Sequence, residues 1–203
     1  MPDPIPAATP VVLASASAIR ARLLREAGLT FTIAPASIDE AEVKLAMREE
    51  PVEAVAEMLA LLKAQSVSRR YPDALVIGAD QILACDGARY DKPADMAEAR
   101  AQLTALRGRT HDLIGCAVVM REGVRLWHHA DQAALTMRPF TDAFLDSYLA
   151  AAGAEVLASV GAYRLEGLGA QLFARIRGDY FTILGLPLLP LLDFLRVREV
   201  LKT

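Results

Sequence analysis

The residues in this 203-residue chain with the types and spacing for chemistry are concentrated in its first half. Ser15, Ser17 and Arg20 sit in a loop that runs straight into a helical pattern. Free backbone N–H groups and the positive end of the helix dipole would make that loop a seat for phosphate or carboxylate. Asp39 and Glu40 are side by side, Lys63 lies within a helical stretch, and Lys92 follows a short turn. Asp80 ends the apolar run of Val76-Ile77-Gly78-Ala79-Asp80-Gln81. Asp is depleted in strand interiors and Gly marks close backbone approach, so this segment reads as a buried strand that stops at a carboxylate. By itself it favours the plainer reading, an Asp that caps or turns the chain. Likewise, Ser15 and Ser17 are also ordinary cap residues, and Lys63 alone reads as a solvated helix lysine. If these groups converge, they supply cations for phosphate oxygens and carboxylates for a divalent ion and a water. Metal-assisted attack on a polyphosphate needs that set, because its catalysis is mainly positioning and charge neutralisation.

The elements that must position these groups follow from pattern. Residues 1–10 read as a disordered lead-in and 11–203 as a single domain. Val11 to Ala14 is a buried strand, and Ala18 to Ala27 an amphipathic helix stopped by Gly28. Phe31 to Ala34 is a second strand, and helices follow over 41–48 and 52–69. After Leu75 to Ile77, an extended stretch continues from Gln81 to Ala84, with a turn at Asp86-Gly87. Asp95 and Glu98 mark a capped helix over 96–106. A hairpin over 111–137 turns at Arg121-Glu122-Gly123, and its adjacent His128 and His129 must face opposite ways. Thr141 caps a helix ending at Gly153. Residues 159–169 are glycine-dense, 173–176 form a strand, 178–181 a turn, and the last helix reaches about Leu201. The order of elements gives an α/β fold on a mixed sheet.

Composition narrows the class. A hydrophobic fraction of 54% with 23% charged residues describes a globular protein, and a net charge of −3 argues against a nucleic-acid polymer as partner. Two unclustered cysteines, Cys85 and Cys116, fit a reduced cytoplasmic setting and make zinc improbable. The start MPDPIPAATP lacks a signal-peptide pattern, and the apolar run over 182–195 is too interrupted to span a membrane. There is no Walker loop, no H-E-x-x-H and no G-x-S-x-G.

Six ordered blocks carry a resemblance over residues 11–195: LASASAIRARLLREAGLTF, IDE, LALLKA, VIGADQIL, DKPADMAEARAQLTALRGRTH and VGAYRLEGLGAQLFARIRGDYFTILGLPL. Together they resemble the Maf family of nucleoside triphosphate pyrophosphatases. The resemblance implies an elongated α/β fold similar to inosine-triphosphate pyrophosphatases, with two lobes around a cleft. It also implies metal-dependent (Mg or Mn) hydrolysis of a nucleoside triphosphate to the monophosphate and pyrophosphate, and a homodimer. Carried over by residue, the proton-accepting Asp falls on Asp80. The phosphate-loop residues fall on Ser15, Ser17 and Arg20, an acidic partner on Glu40, and two lysines on Lys63 and Lys92. Glu40 and Asp80 would hold the metal. The family loop usually reads Ser-Pro-Arg-Arg, whereas here it is Ser17-Ala18-Ile19-Arg20. Base choice is associated with Arg20, Gln81 and Glu166, and the last two resemble the branch acting on 7-methyl-GTP. Because a carboxylate is by itself a weak base toward water, Asp80 is expected to work with the metal. Two rivals stand beside this reading: a nucleotide-binding regulator of division or septum formation with little hydrolysis, and a phosphatase that removes only the terminal phosphate.

Overall fold

The computed structural model describes residues 9–202, so most of the lead-in assigned to residues 1–10 lies outside the described residues. Seven strands form one mixed sheet: β1 (Val11–Leu13), β2 (Thr32–Ile33), β3 (Leu75–Cys85), β4 (Ala88–Tyr90), β5 (Thr110–Arg121), β6 (Val124–Met137) and β7 (Phe173–Arg177). Their order is β2-β1-β3-β5-β6-β7, with β4 also paired to β3. β1 is parallel to β2 and β3, while β3/β4 and β6/β7 are antiparallel. Among the described residues seven α-helices accompany the sheet: α1 (Ala18–Glu26), α2 (Glu40–Ala46), α3 (Val52–Ser68), α4 (Met96–Leu106), α5 (Asp142–Ala152), α6 (Tyr180–Ile183) and α7 (Leu188–Val197). The α/β class and mixed sheet expected from the sequence are therefore observed.

The chain divides into two compact units. The first takes the residues up to Asp80, Cys116–Ala130 and those from Gly185 on. It contains β1, β2, α1 to α3, α7 and the adjoining parts of β3, β5 and β6. Its defining contact is between α3 and β3. Val55, Leu59 and Ala60, then Ala64 and Val67, recur at helical spacing and are fully buried. Gly78 permits the approach, since a Cβ there would lie 2.2 Å from the Ala60 carbonyl oxygen and 2.7 Å from the Ala64 nitrogen. The glycine is required by space, and the helix seats Lys63 on the face it turns toward β3.

The second unit, Gln81–Gly115 with Asp131–Leu184, packs α4, α5 and the remaining strand segments around Leu83, Leu103, Leu106, Leu113, Leu135 and Leu145. The capped helices form as their sequences suggest. The Asp95 carboxylate accepts from Glu98 N at 2.8 Å, and Thr141 Oγ1 accepts from Phe144 N. The Glu98 carboxylate reaches back to Ala94 N at 2.8 Å, closing the capping box one residue earlier than the usual pattern.

Three local expectations are corrected. The strand expected to stop at Asp80 runs unbroken for 11 residues, so Asp80 lies mid-strand. Neighbouring strands hold it extended at both ends: β1 pairs with Leu75–Ile77, and β4 with Leu83–Cys85. The turn expected at 178–181 is the start of α6, because Asp179 Oδ1 accepts from Thr182 N at 2.9 Å and caps a helical turn. Finally, α7 stops at Val197 rather than near Leu201, with Glu199 in the left-handed region at φ 58°.

Candidate active site

The site is best built from Lys63 outward. Its ammonium, only 10% exposed, lies 2.5 Å from Asp80 Oδ1 and 2.8 Å from Glu40 Oε1. Gly78 and Asp80 are two apart on β3 and so share the face turned toward α3, which is why Lys63 meets Asp80. Glu40 arrives from the first turn of α2. The two adjacent acids of the sequence are thereby separated in role. Asp39 is consumed as the N-cap of α2, accepting from Glu42 N at 2.9 Å, and Glu40 is left to face Lys63.

Arg20 is the second cation. It is buried, and its guanidinium donates from Nε to Gly185 O at 2.7 Å, and from Nη1 to Ala79 O at 2.8 Å and to Ser15 Oγ at 3.3 Å. Burial pushes its pKa below the ordinary guanidinium value, while the Asp80 and Glu40 carboxylates push the other way. Nη2 has no protein partner among the described residues, so one edge of the fork can meet a ligand oxygen.

The serine loop is ordered by the same residue. Ser15 Oγ also accepts from Ser17 N at 3.2 Å, and Ser17 Oγ caps α1 by accepting from Arg20 N at 3.4 Å. Both hydroxyls therefore act as acceptors within the loop and keep a proton to donate. Ala18 replaces the family's usual proline at the first helical position, and α1 still begins there because Ser17 supplies the cap.

Six predicted residues thus share the first unit: Ser15, Ser17, Arg20, Glu40, Lys63 and Asp80. Gln81, Lys92 and Glu166 belong to the second. Gln81 follows Asp80 but points to the opposite face of β3, as successive strand residues do. Its Nε2 donates to Thr182 O at 2.8 Å and Ile183 O at 3.2 Å. Glu166 accepts from Arg164 Nε at 3.3 Å, and Arg164 also pairs with Glu155. Lys92 is exposed, two residues beyond β4. The expected separation of the adjacent histidines is observed: Trp127 stacks on His129, two residues along the strand, while His128 stands near Glu57.

Sequence reasoning missed the partners that hold these side chains in place. The Ala79 and Gly185 carbonyls leave no mark in residue type. Thr182 did leave one, since Asp179 stands three residues before it at capping distance. It is fully buried and donates from Oγ1 to Asp131 Oδ2 at 2.7 Å.

A divalent ion fits the donor chemistry. Asp80 and Glu40 offer hard carboxylate oxygens, and Mg²⁺ characteristically takes one or two carboxylates together with water and phosphate oxygens. Among the described residues no three His, Cys, Asp or Glu side chains gather into one metal-binding group, so the fit rests on these two. Charge agrees. Two cations and two carboxylates balance, and a triphosphate would bring negative charge that this set leaves unneutralised.

Comparison with known proteins gives concordant matches. The family described as Maf-like protein matches residues 10–198. A protein of Paramagnetospirillum magneticum named nucleoside triphosphate pyrophosphatase is 58% identical over 188 residues, covering 91% of this chain and 96% of that protein. One of Rhodospirillum rubrum with the same name is 54% identical, covering 95% and 96%. A Rhizobium johnstonii protein named 7-methyl-GTP pyrophosphatase is 48% identical, covering 92% and 94%.

Proposed function

The chain belongs to the Maf family, and from that premise we propose that it hydrolyses a nucleoside triphosphate between the α and β phosphates, giving the monophosphate and pyrophosphate. The observation that carries the reading is the grip of one buried ammonium, Lys63, on the carboxylates of Asp80 and Glu40. Lys63 and Arg20 oppose the charge of the phosphates, and the Ser15 and Ser17 hydroxyls donate to their oxygens. Asp80 orients a water and takes its proton as the water oxygen bonds to the α phosphorus. The bond from that phosphorus to the bridging oxygen breaks, and pyrophosphate leaves with the electron pair. A divalent cation, Mg²⁺ or Mn²⁺, held by Asp80 and Glu40 would lower the pKa of its bound water and offset phosphate charge.

Gln81 and Glu166 read the base, with Lys92 as a further cation for the substrate. A carboxylate and an amide oxygen both accept hydrogen bonds from a guanine edge, which favours 7-methyl-GTP among the substrates. The relative named for that nucleotide supports the same choice. The protein works in the cytoplasm as a homodimer, which sedimentation at several concentrations checks.

Hydrolysis in ¹⁸O-water across a panel of methylated, deoxy and pyrimidine nucleotides tests the reaction. The expected products are pyrophosphate and a monophosphate carrying the label. Label in pyrophosphate, or release of orthophosphate with a diphosphate nucleotide, overturns it.

A further inference from the structure

The second unit contains a partly buried hydrogen-bond chain that the phosphate chemistry itself does not use. It begins at Asp131 on β6, which accepts from Thr182 Oγ1 at 2.7 Å through Oδ2 and from Gln132 N at 2.8 Å through Oδ1. Thr182 is fully buried on α6, and its own N–H is taken by the Asp179 cap. Four residues is too short a helix to hold its place by internal bonds alone, so α6 depends on such anchors. The chain ends at Gln81, whose amide meets the Thr182 and Ile183 carbonyls.

Two carbonyl oxygens facing one end of an amide require that end to be the NH₂ group, which fixes the orientation of Gln81. Both donor hydrogens are then directed to α6. Oε1 has no protein donor among the described residues, and the side chain is only partly buried. Gln81 therefore presents an acceptor and no donor to whatever meets it. Guanine suits that, since N1–H and the exocyclic amine are neighbouring donors.

We infer that Asp131 and Thr182 are positioning residues for nucleotide selectivity, holding α6 so that its carbonyls lock the Gln81 amide with its oxygen outward. The inference rests on the reading of Gln81 as a base contact. Without the Thr182 hydroxyl, Asp131 no longer fixes α6, the amide can rotate, and its NH₂ group can face the ligand. Preference for a donor edge then weakens, while the phosphate chemistry at Asp80 is unaltered.

The test compares kcat/KM for 7-methyl-GTP and for UTP in Thr182→Val, Thr182→Ser and Gln81→Met, with thermal unfolding of each. Thr182→Val keeps the shape and deletes the hydroxyl. It is expected to lower the 7-methyl-GTP to UTP ratio about three- to tenfold, the scale of one neutral hydrogen bond. Thr182→Ser restores the hydroxyl and should bring the ratio back, and Asp131→Ala should reproduce the Val variant. A merely structural role would lower Tm and slow both nucleotides alike, leaving the ratio fixed, and that result overturns the inference. If Gln81→Met moves the ratio but Thr182→Val does not, the positioning fails and the base contact stands. If Gln81→Met leaves it unmoved, the base contact itself falls and takes the inference with it.

Discussion

At the scale of single residues, two buried ionisable groups dominate and they differ in kind. Lys63 is satisfied by two carboxylates. Removing one partner of a buried pair leaves uncompensated charge, which typically costs ~3–5 kcal/mol. Lys63→Met is therefore expected to destabilise the fold by about 3 kcal/mol in urea titration, and Lys63→Met with Asp80→Asn by less, since the double change removes one of the two stranded charges. His111 is the opposite case. Fully buried, it shares a 2.7 Å hydrogen bond between Nε2 and the Tyr163 hydroxyl, and its Nδ1 has no partner among the described residues. Burial lowers its pKa from 6.5 to about 4, with Asp112 opposing weakly. The unfolded chain takes up a proton as pH falls through 6.5, whereas the folded chain stays neutral at this position until about 4. Stability is thus present above the unfolded value and lost between the two, by up to about 3 kcal/mol. Urea midpoints at pH 7 and pH 4.5 should show that loss, and His111→Gln should flatten it.

Elements explain why these side chains meet, and they mark where the sequence was legible. The helices with clear caps or stops (α1, α4 and α5) follow from Ser17, Asp95, Thr141 and Gly153, which are local signals. β3 does not. Gly78-Ala79-Asp80 looks like a strand end because Gly and Asp are poor strand formers, yet pairing with β1 and β4 keeps the chain extended through it. Of the candidate site the sequence shows residue types, and six of those singled out, Ser15, Ser17, Arg20, Glu40, Lys63 and Asp80, share the first unit. The wiring of the site was not legible, because the groups that fix Arg20 and Gln81 are backbone carbonyls at Ala79, Thr182, Ile183 and Gly185. The packing of α3 on β3 gives this scale its own prediction. Gly78→Ala puts a Cβ 2.2 Å from the Ala60 oxygen, a backbone atom that cannot step aside without α3 moving. A stability loss of about 3 kcal/mol is expected, the upper part of the overpacking range, together with a fall in turnover as Lys63 leaves Asp80. Denaturation and steady-state assays on one preparation check both.

For the molecule as a whole, the division into two units does not follow the order of the sequence. The boundary between them falls inside β3, between Asp80 and Gln81, and the first unit is assembled from three separate stretches. Composition carries no trace of such interleaving. A net charge of −3 argues against polymers of nucleic acid as partners, and no retention of duplex DNA is expected in a gel-shift assay at about 0.15 M salt. Among the described residues no helix is long and apolar enough to cross a membrane. The family blocks lie in both units, and the chemistry assigned to the first rests on one carboxylate. Asp80→Asn keeps the shape of that side chain and removes its basicity. Pyrophosphate release from 7-methyl-GTP, measured alongside equilibrium nucleotide binding, should fall by about a hundredfold or more, the scale of a lost general base, with binding largely kept. Pyrophosphate release at the wild-type rate from Asp80→Asn would contradict the assignment of Asp80 and the mechanism built on it.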